Sequence, residues 1–176
     1  MLILDACVGS AKMYKGREKL LKDNFISIDI RKGDFTYKPN KNRKLVAPIP
    51  LIIKPTVLAS LKFLPFKNKI FDSIIIDPPH LNQGKNSYAT LAYGSWSESE
   101  RVSSIYKANI EFNRVLKDNG MIILKILPEK INSYESLFSN FIFYLPIQTI
   151  RDRGCFTSKE AKESAIWLIG IKKDNI

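Results

Sequence analysis

The chain has few of the residues that build metal centres and disulfide frameworks. Its 176 residues include two cysteines and one histidine. Cys7 and Cys155 lie far apart, so they predict no disulfide framework and no metal site, and we expect a reducing, cytoplasmic setting. Because His80 is the only histidine, a Ser-His-Asp triad or a multi-histidine metal site away from it is excluded.

Long apolar runs are also missing. The chain has no stretch of about 18 consecutive apolar residues, so we expect no membrane-spanning segment. The opening residues, Met1 to Leu4, are typical of a strand. They lack the basic and then apolar segments of a signal peptide, so we expect no export signal.

Acidic residues are outnumbered by basic ones. The chain has 28 lysines and arginines against 17 aspartates and glutamates, and its formal net charge is +11. This balance favours a polyanionic partner, most simply DNA or RNA, although a generally lysine-rich surface has the same composition. The most basic segment is Lys38 to Lys44. We predict that Lys41, Arg43 and Lys44 contact substrate phosphates, with a solvated loop as the alternative.

Strand-like and helix-like segments alternate, which predicts a single α/β domain over residues 1–176 with a mainly parallel sheet. The strands are expected within residues 2–6, 25–30, 54–61, 70–77 and 121–127. The helices are expected near residues 12–22, after the capping-box sequence 97–100, and near 132–140. The last two apolar segments, 141–150 and 165–171, have no room for a crossover helix between them. We expect them to pair as an antiparallel hairpin at the sheet edge.

Two segments are predicted to be irregular, the basic stretch 31–55 and the polar loop 80–96. Residues of the loop, among them Asn86 and Tyr93, suit a lid that closes over a substrate, and a packed surface loop is the alternative. The helix after the capping box is expected to end at the glycine signal of residues 118–120.

Acidic residues close three of the predicted strands. Asp5 opens a run of small residues that lets a ligand approach the backbone, although its glycines are too few for a dinucleotide fingerprint. Asp29 closes the second strand, where an acid accepts both hydroxyls of a ribose; a helix cap or a salt bridge with Arg31 is the alternative. Asp77 closes the fourth strand. In doubly wound sheets ligands bind at these strand ends, so the three acids together indicate a binding site.

The sequence Asp77-Pro78-Pro79-His80 follows the apolar run 73–76. Two consecutive prolines lack N–H groups and fix φ, so the backbone after Asp77 should be stiff, extended and rich in free carbonyl oxygens. A carboxylate, free carbonyls and the planar ring of His80 make a small site for an exocyclic amine of a base or an amide nitrogen. A strand-to-loop turn with a capping aspartate is the alternative.

The order of these motifs resembles the class I S-adenosylmethionine-dependent methyltransferases, especially a group of small phage-type and bacterial members. The Asp-Pro-Pro-His signature resembles amino-methyltransferases that act on adenine N6, cytosine N4, guanine N2 or a glutamine amide. The matching motifs are Asp5-Ala6-Cys7-Val8-Gly9-Ser10, Ile28-Asp29-Ile30-Arg31, Leu64-Pro65-Phe66, Phe71-Asp72, Asp77-Pro78-Pro79-His80-Leu81, Tyr93-Gly94 and Arg114-Val115-Leu116-Lys117 with Gly120. The resemblance implies a Rossmann-like fold with a mainly parallel seven-stranded sheet and an antiparallel edge hairpin.

The resemblance also implies S-adenosyl-L-methionine as the cofactor, and a role for each motif. The methionine part would contact Asp5, Ala6, Cys7, Gly9 and Ser10. The ribose and adenine would contact Asp29, Ile30, Ser60 and Leu61. The amine site would consist of Asp77, Pro78, Pro79 and His80. Family members usually carry an acid at the position of Ser60, so the chain departs from the pattern there.

The implied function is methyl transfer to an exocyclic amino group of a nucleic-acid base, with adenine N6 of DNA favoured. The alternatives are an RNA base methyltransferase, a protein or small-molecule N-methyltransferase, and a non-catalytic nucleic-acid-binding subunit with a degenerate cofactor site. No segment resembles a separate target-recognition domain. Because the chain starts at its first strand, we expect either an open cofactor site or one covered by a partner subunit or a homodimer.

Overall fold

The chain folds around one large mixed sheet. The structure, a computed structural model, describes residues 1–11, 14, 23–39, 47–81, 84–126, 131–144, 147–148 and 166–173. The strands are β1 (Ile3–Asp5), β2 (Phe25–Asp29), β3 (Gly33–Tyr37), β4 (Ile49–Ile53), β5 (Val57–Leu58), β6 (Phe71–Ile76), β7 (His80–Leu81), β8 (Ser95–Trp96), β9 (Leu116–Ile126), β10 (Phe141–Phe143), β11 (Ile147–Gln148) and β12 (Ile166–Lys172). The helices are α1 (Tyr88–Tyr93), α2 (Glu98–Val115) and α3 (Ile131–Leu137).

The large sheet has the strand order β10-β12-β9-β6-β1-β2-β5. The strands from β9 to β5 run parallel, whereas β12 is antiparallel to β9, β10 and β11. The chain moves outward from β1 through β2 and β5, then returns to β6 on the other side of β1. The predicted mainly parallel sheet with an antiparallel hairpin at its edge is confirmed. Strand order switches direction at β1, which is where ligands bind in sheets of this kind.

Helix α2 packs its apolar side against this sheet and begins where the sequence predicts. Ser97 accepts a hydrogen bond from the Glu100 N–H, and the Glu100 carboxylate accepts one from the Ser97 N–H. This completes the capping box and satisfies two N–H groups of the first turn. Ile105, Ala108 and Phe112 are fully buried in the core, as helical spacing of apolar residues requires.

The end of α2 differs from the prediction. The helix stops at Val115, and Leu116 is already extended and paired with Phe71 as the first residue of β9. The predicted stop at residues 118–120 is wrong because strand pairing already begins at Leu116. Asn119, whose φ is 59°, lies where the register of β9 against β6 shifts between the pairs Phe71–Leu116 and Ser73–Met121.

The described parts of the segment 31–55, residues 31–39 and 47–55, contain a regular hairpin, which corrects the sequence-based expectation there. Strands β3 and β4 form an antiparallel hairpin with Gly33 opposite Ile53 and Tyr37 opposite Ile49. Side chains alternate along β4: Leu51 and Ile53 are buried, whereas Ile52 between them is exposed. The hairpin therefore covers apolar surface with one face, as a half-buried antiparallel pair does.

The described residues of the segment 80–96 are also more regular than expected. Strand β7 pairs with β8, and α1 lies between them in the chain. Ser87 caps α1, since its hydroxyl accepts a hydrogen bond from the Thr90 N–H at 3.1 Å. A six-residue helix is too short to leave a periodic apolar pattern in the sequence.

The remaining predicted elements agree with the structure where it describes them. Strand β5 lies inside the predicted segment 54–61, and α3 covers the first part of the helix expected near 132–140. The helix expected near residues 12–22 lies outside the described residues, except for Tyr14. Among the helices of the described residues, none is long and apolar enough to cross a membrane.

Candidate active site

Three buried carboxylates lie at the carboxyl ends of adjacent strands. Asp29 ends β2, Asp5 ends β1, and Asp77 directly follows β6. Because β1 lies between β2 and β6, the strand order brings the three acids to one edge of the sheet. Asp5 is 0% exposed, and Asp29 and Asp77 are each 8% exposed. The three predicted strand ends are thus together in the structure.

Asp5 is the most deeply buried of the three acids. Burial raises the pKa of Asp5 to about 7, and the nearby charges of Asp77 and Asp29 act in the same direction. Two hydrogen bonds oppose this shift: the Cys7 N–H donates to Oδ1 at 3.0 Å, and the Tyr14 hydroxyl donates to Oδ2 at 2.8 Å. Sequence analysis missed Tyr14. Asp5 can therefore gain or lose a proton near neutral pH, and a cationic ligand beside it would favour the ionised form.

We expect Asp5→Asn to flatten the pH dependence of stability above about pH 5. The pKa of Asp5 rises from 3.8 to about 7 on folding, so the folded state keeps a proton that the unfolded state has already lost. The wild-type free energy of unfolding should therefore fall between about pH 4 and pH 7, by up to roughly 4 kcal/mol, and the asparagine variant should lack this fall. Urea unfolding at a series of pH values measures it.

Asp72→Asn is the matched control for this experiment. Hydrogen bonds from Lys117 and from the Leu2 N–H hold the pKa of Asp72 below its ordinary value. Such a group stabilises the fold above its unfolded pKa and loses that effect as the pH falls, so its loss should leave the slope above about pH 5 unchanged. An Asp5→Asn protein that loses stability with rising pH as steeply as wild type would contradict the raised pKa.

Asp29 is held by four hydrogen bonds. Its Oδ1 accepts from the Arg31 backbone N–H at 2.8 Å and from Arg31 Nε at 3.0 Å. Its Oδ2 accepts from Arg31 Nη2 and from the Gly9 N–H, both at 3.1 Å. A carboxylate has about four lone-pair positions, so these donors fill it. The salt bridge with Arg31, which the sequence left as the alternative to ribose binding, is therefore formed.

Arg31 also joins this strand end to helix α1. Its Nη1 donates to the Leu91 carbonyl oxygen at 3.2 Å and to the Thr90 carbonyl oxygen at 3.4 Å. These carbonyls belong to the last turn of α1, where a cation is favourable. One guanidinium thus links Asp29 with the helix that follows the Asp-Pro-Pro-His motif.

The loop after β1 packs directly against the same helix. Gly9 has a φ of 51°, and a Cβ atom there would lie 2.6 Å from the Ala92 carbonyl oxygen and 3.1 Å from the Tyr93 ring. The Ser10 N–H donates to the Ala92 carbonyl oxygen at 3.0 Å. Only glycine fits this contact and conformation. Tyr93, a predicted substrate-binding residue, therefore lies against the predicted cofactor loop.

The loop offers polar groups to a ligand. Ser10 Oγ is buried without a hydrogen-bond partner among the described residues, and a polar ligand group would satisfy it. The Cys7 side chain is partly buried, and burial together with the charges of Asp5, Asp29 and Asp77 raises the pKa of its thiol. A thiol shifted in that direction is a poor nucleophile at neutral pH. The Ser10 hydroxyl therefore suits a polar ligand. The Cys7 thiol does not suit covalent catalysis.

Lys125 contacts the carboxylate of Asp77. It lies on β9, its Nζ is 2.8 Å from Asp77 Oδ2, and its side chain is 30% exposed. Pro78 is buried and Pro79 partly buried after Asp77. Sequence analysis missed this lysine, and the available signal was a single charge inside the apolar run of β9. Asp77 is thus an ion-paired carboxylate at the strand end.

The other predicted site residues lie in several environments. Ala6 is buried after β1, Ile30 is exposed after β2, and Leu61 is part of the hydrophobic core. Ser60 Oγ accepts a hydrogen bond from the Lys62 N–H at 3.2 Å, and Asn86 is exposed before α1. The backbone of His80 lies in β7. The side chain of His80 and the predicted phosphate contacts Lys41, Arg43 and Lys44 lie outside the described residues.

No protein-family model matches the chain, and no curated protein matches it. Solved structures do resemble it. A TehB-like SAM-dependent methyltransferase from Corynebacterium glutamicum has 11% identity and a TM-score of 0.53, with 97% of this chain and 79% of that chain covered. A 1,6-didemethyltoxoflavin-N1-methyltransferase from Burkholderia thailandensis, solved with S-adenosylhomocysteine, has 8% identity and a TM-score of 0.53 over 98% of this chain and 71% of that chain.

A third similar structure is a 16S rRNA (adenine(1408)-N(1))-methyltransferase from Catenulisporales acidiphilia with SAM. It has 12% identity and a TM-score of 0.52, and the match covers 98% of this chain and 85% of that chain. Similarity at these identities shows the fold alone. The chain therefore has the Rossmann-like fold of class I methyltransferases, as the sequence motifs predicted.

Proposed function

We propose that this protein is an S-adenosylmethionine-dependent methyltransferase that modifies an exocyclic amino group of a nucleic-acid base, with adenine N6 of DNA as the favoured target. The observation that carries the proposal is the position of Asp77-Pro78-Pro79-His80. In a methyltransferase fold, the motif follows β6, beside the ends of β1 and β2. The motif that would bind the substrate amine and the loop that would bind the cofactor then lie at the ends of adjacent strands.

The cofactor would be held by the first two strand ends. Ser10 Oγ, which lacks a partner among the described residues, would take a polar group of its methionine part. Asp29 would accept the ribose hydroxyls, and for that Arg31 has to give up at least one of its hydrogen bonds. When bound, the cofactor supplies an activated methyl group on a sulfonium sulfur.

The protein would contribute position more than acid–base chemistry. Methyl transfer from a sulfonium is a direct displacement, so its rate depends on how the amine is aimed. Asp77 and the Pro78 carbonyl oxygen would accept the amine hydrogens and stabilise the positive charge that grows on nitrogen. His80 would offer a flat face to the base. A target base inside a duplex would have to be flipped out to reach this site.

A nucleic-acid substrate is supported by the charge and by the surroundings of the site. The net charge is +11, and the basic segment 38–44 connects β3 to β4. That hairpin contacts α1 through an edge-to-face pair of Tyr37 and Tyr88, with ring centroids 5.5 Å apart. Basic residues of this segment would contact the phosphates of such a substrate. The setting we propose is the reducing cytoplasm, since the chain has two cysteines.

We expect Asp29→Ala to weaken S-adenosylmethionine binding about 10- to 100-fold, because charge-assisted hydrogen bonds to the ribose are worth roughly 1.5–3 kcal/mol. Arg31→Met is the matched control, since it breaks the same ion pair but keeps the carboxylate. That variant should bind the cofactor at least as tightly as wild type. Calorimetric titration measures both constants. Equal losses in the two variants would assign the effect to the ion pair and remove Asp29 from the ribose site.

A non-catalytic nucleic-acid-binding subunit is the second candidate function. The filled hydrogen-bond positions of Asp29 and serine at position 60 favour it. RNA is the alternative substrate within the leading proposal, and a protein or small molecule is a further one. A homodimer or a partner subunit that covers the cofactor site also belongs to the proposal.

The deciding experiment has two stages. Calorimetry with S-adenosylmethionine should first give a saturable binding isotherm. The protein with labelled cofactor is then incubated with DNA or RNA, and the nucleosides are analysed by mass spectrometry. N6-methyladenine in DNA is the expected product. If the cofactor binds and label appears on RNA alone, the substrate is RNA and not DNA. Absence of cofactor binding would favour the non-catalytic subunit.

A further inference from the structure

Helix α2 carries an apolar ridge on the side that faces solvent. Val102, Tyr106 and Ile110 are 41%, 59% and 50% exposed. They follow one another at intervals of four residues, so they lie on a single ridge along the helix surface. The opposite side of α2, with Ile105 and Phe112, already supplies the contact of the helix with the core. The exposed ridge is therefore additional apolar surface.

A shallow groove lies beside this ridge. Val102 and Tyr106 of α2 and Leu137 of α3 are its apolar lining residues. Packed helices place the side-chain ridge of one helix in the groove of the other, so a docking face needs both features. The ridge and the groove together give α2 a surface on which a second helix can pack.

The spacing of the ridge is self-complementary. Val102 and Ile110 each lie four residues from Tyr106, on opposite sides of it. Two copies of α2 that cross antiparallel at Tyr106 therefore place Val102 of each copy opposite Ile110 of the other. A two-fold axis requires this reciprocal pairing. The groove beside Val102 then receives Ile110 of the second copy, and the two Tyr106 rings meet at the axis.

The charges of α2 also favour a second copy in this orientation. The chain has a net charge of +11, so two copies repel each other through most of their surface. Helix α2 itself is balanced, because its three acidic residues equal its three basic ones. These residues are Glu98, Glu100 and Glu111, and Arg101, Lys107 and Arg114. The first turn is acidic and the last turn contains Arg114, so antiparallel packing brings unlike charges together.

We propose that the ridge of Val102, Tyr106 and Ile110 is the interface of a two-fold homodimer in which the α2 helices pack antiparallel. One helix pair buries less than a standard interface of about 1,600 Å², so the dimer dissociates on dilution. Helix α2 begins at the carboxyl edge of the sheet, where the candidate active site lies, and ends where Leu116 pairs with Phe71 at the other edge. The two sites therefore point in opposite directions. This dimer covers neither of them and is separate from one that would close the cofactor site.

Two isoleucines of equal exposure provide a variant and its matched control. Ile110 is 50% exposed on α2, and Ile52 is 49% exposed on β4. Sedimentation over a dilution series should show the wild-type mass rising with concentration from the 20.1 kDa of one chain towards twice that value. Ile110→Glu should raise the dissociation constant at least tenfold, because it brings a carboxylate into the apolar contact of both copies. Ile52→Glu adds the same charge elsewhere and should change the constant less than about twofold.

Disulfide trapping in a Cys155→Ser background tests the register. Tyr106 lies on the proposed axis, so Tyr106→Cys should form a disulfide with its own copy on mild oxidation. The two copies of Val102 are separated by about 12 Å along the helices, at about 1.5 Å per residue. Val102→Cys alone should therefore stay unlinked, whereas a mixture of Val102→Cys and Ile110→Cys should give the mixed disulfide.

Three results would overturn the proposal. The first is a wild-type mass equal to one chain at every concentration. The second is a dimer that Ile110→Glu and Ile52→Glu weaken equally or not at all. The third is a disulfide in Val102→Cys alone but none in Tyr106→Cys, which would contradict the antiparallel register. The measurements use neither cofactor nor substrate, so their outcome is independent of the proposed methyl transfer.

Discussion

Asp77→Ala should lower the rate of methyl transfer 100-fold or more and change the cofactor affinity by less than about twofold. A rate loss of about this size is typical when a transition state loses one preorganised hydrogen-bond partner. The carboxylate lies at the end of β6, and the proposed cofactor contacts lie at the ends of β1 and β2. The substitution therefore removes the group that would aim the amine and stabilise its growing charge. Its ion-pair partner Lys125 is 30% exposed, so the freed ammonium can reach water and the fold should persist.

The measurement is a single-turnover rate with labelled cofactor, together with calorimetric cofactor binding. Asp72→Ala is the control, because Asp72 lies on the same strand and also pairs with a lysine of β9 at 2.8 Å. It should leave the rate unchanged. If Asp77→Ala turned over like wild type, the amino-methyltransferase proposal would be wrong, and the non-catalytic subunit would become the leading candidate.

The large sheet and its acidic strand ends were predictable because each signal is local. Strands buried on both faces appear as continuous apolar runs, and an aspartate marks the point where each run leaves the sheet. The pairing of β1 with both β2 and β6 then brings Asp5, Asp29 and Asp77 together. Such grouping follows from the general rule for ligand sites in doubly wound sheets.

The partners of these acids were not predictable, since they depend on contacts distant in the chain. Lys125 is 48 residues from Asp77, and Arg31 reaches the Leu91 carbonyl oxygen across 60 residues. A lysine in an apolar strand gives no indication of which carboxylate it meets. Arg31 could be named as a partner of Asp29 because it is two residues away, but its contact with α1 could not.

The hairpin of β3 and β4 and the end of α2 were not predicted, for a different reason. In the hairpin of β3 and β4, the alternating apolar residues are short runs separated by a long basic connection, so the charge pattern dominated the prediction. For the end of α2, the glycine signal was real in the sequence. Tertiary pairing of Leu116 with Phe71 outweighed it, because burial and strand hydrogen bonds exceed the contribution of a helix cap.

Phe112→Ala should reduce the free energy of unfolding by about 3–5 kcal/mol, the usual cost of removing a buried phenylalanine from a packed core. Phe112 is 0% exposed and stacks on Phe138 with ring centroids 6.0 Å apart and planes 11° apart. Phe138 in turn meets Phe141 and Phe143 edge to face, at 6.2 and 6.3 Å. The substitution removes the ring that connects α2 with this aromatic cluster and leaves a cavity that neighbouring side chains fill only in part.

Urea unfolding measures the loss, and Tyr106→Ala on the same helix is the control. Tyr106 is 59% exposed, so its removal should change the free energy of unfolding by less than about 1 kcal/mol. A Phe112→Ala loss as small as the control would contradict the placement of α2 against the sheet. Below its unfolding midpoint, Phe112→Ala should bind the cofactor like wild type, because the strand ends that carry Asp5, Asp29 and Asp77 are held by sheet pairing and not by the aromatic cluster.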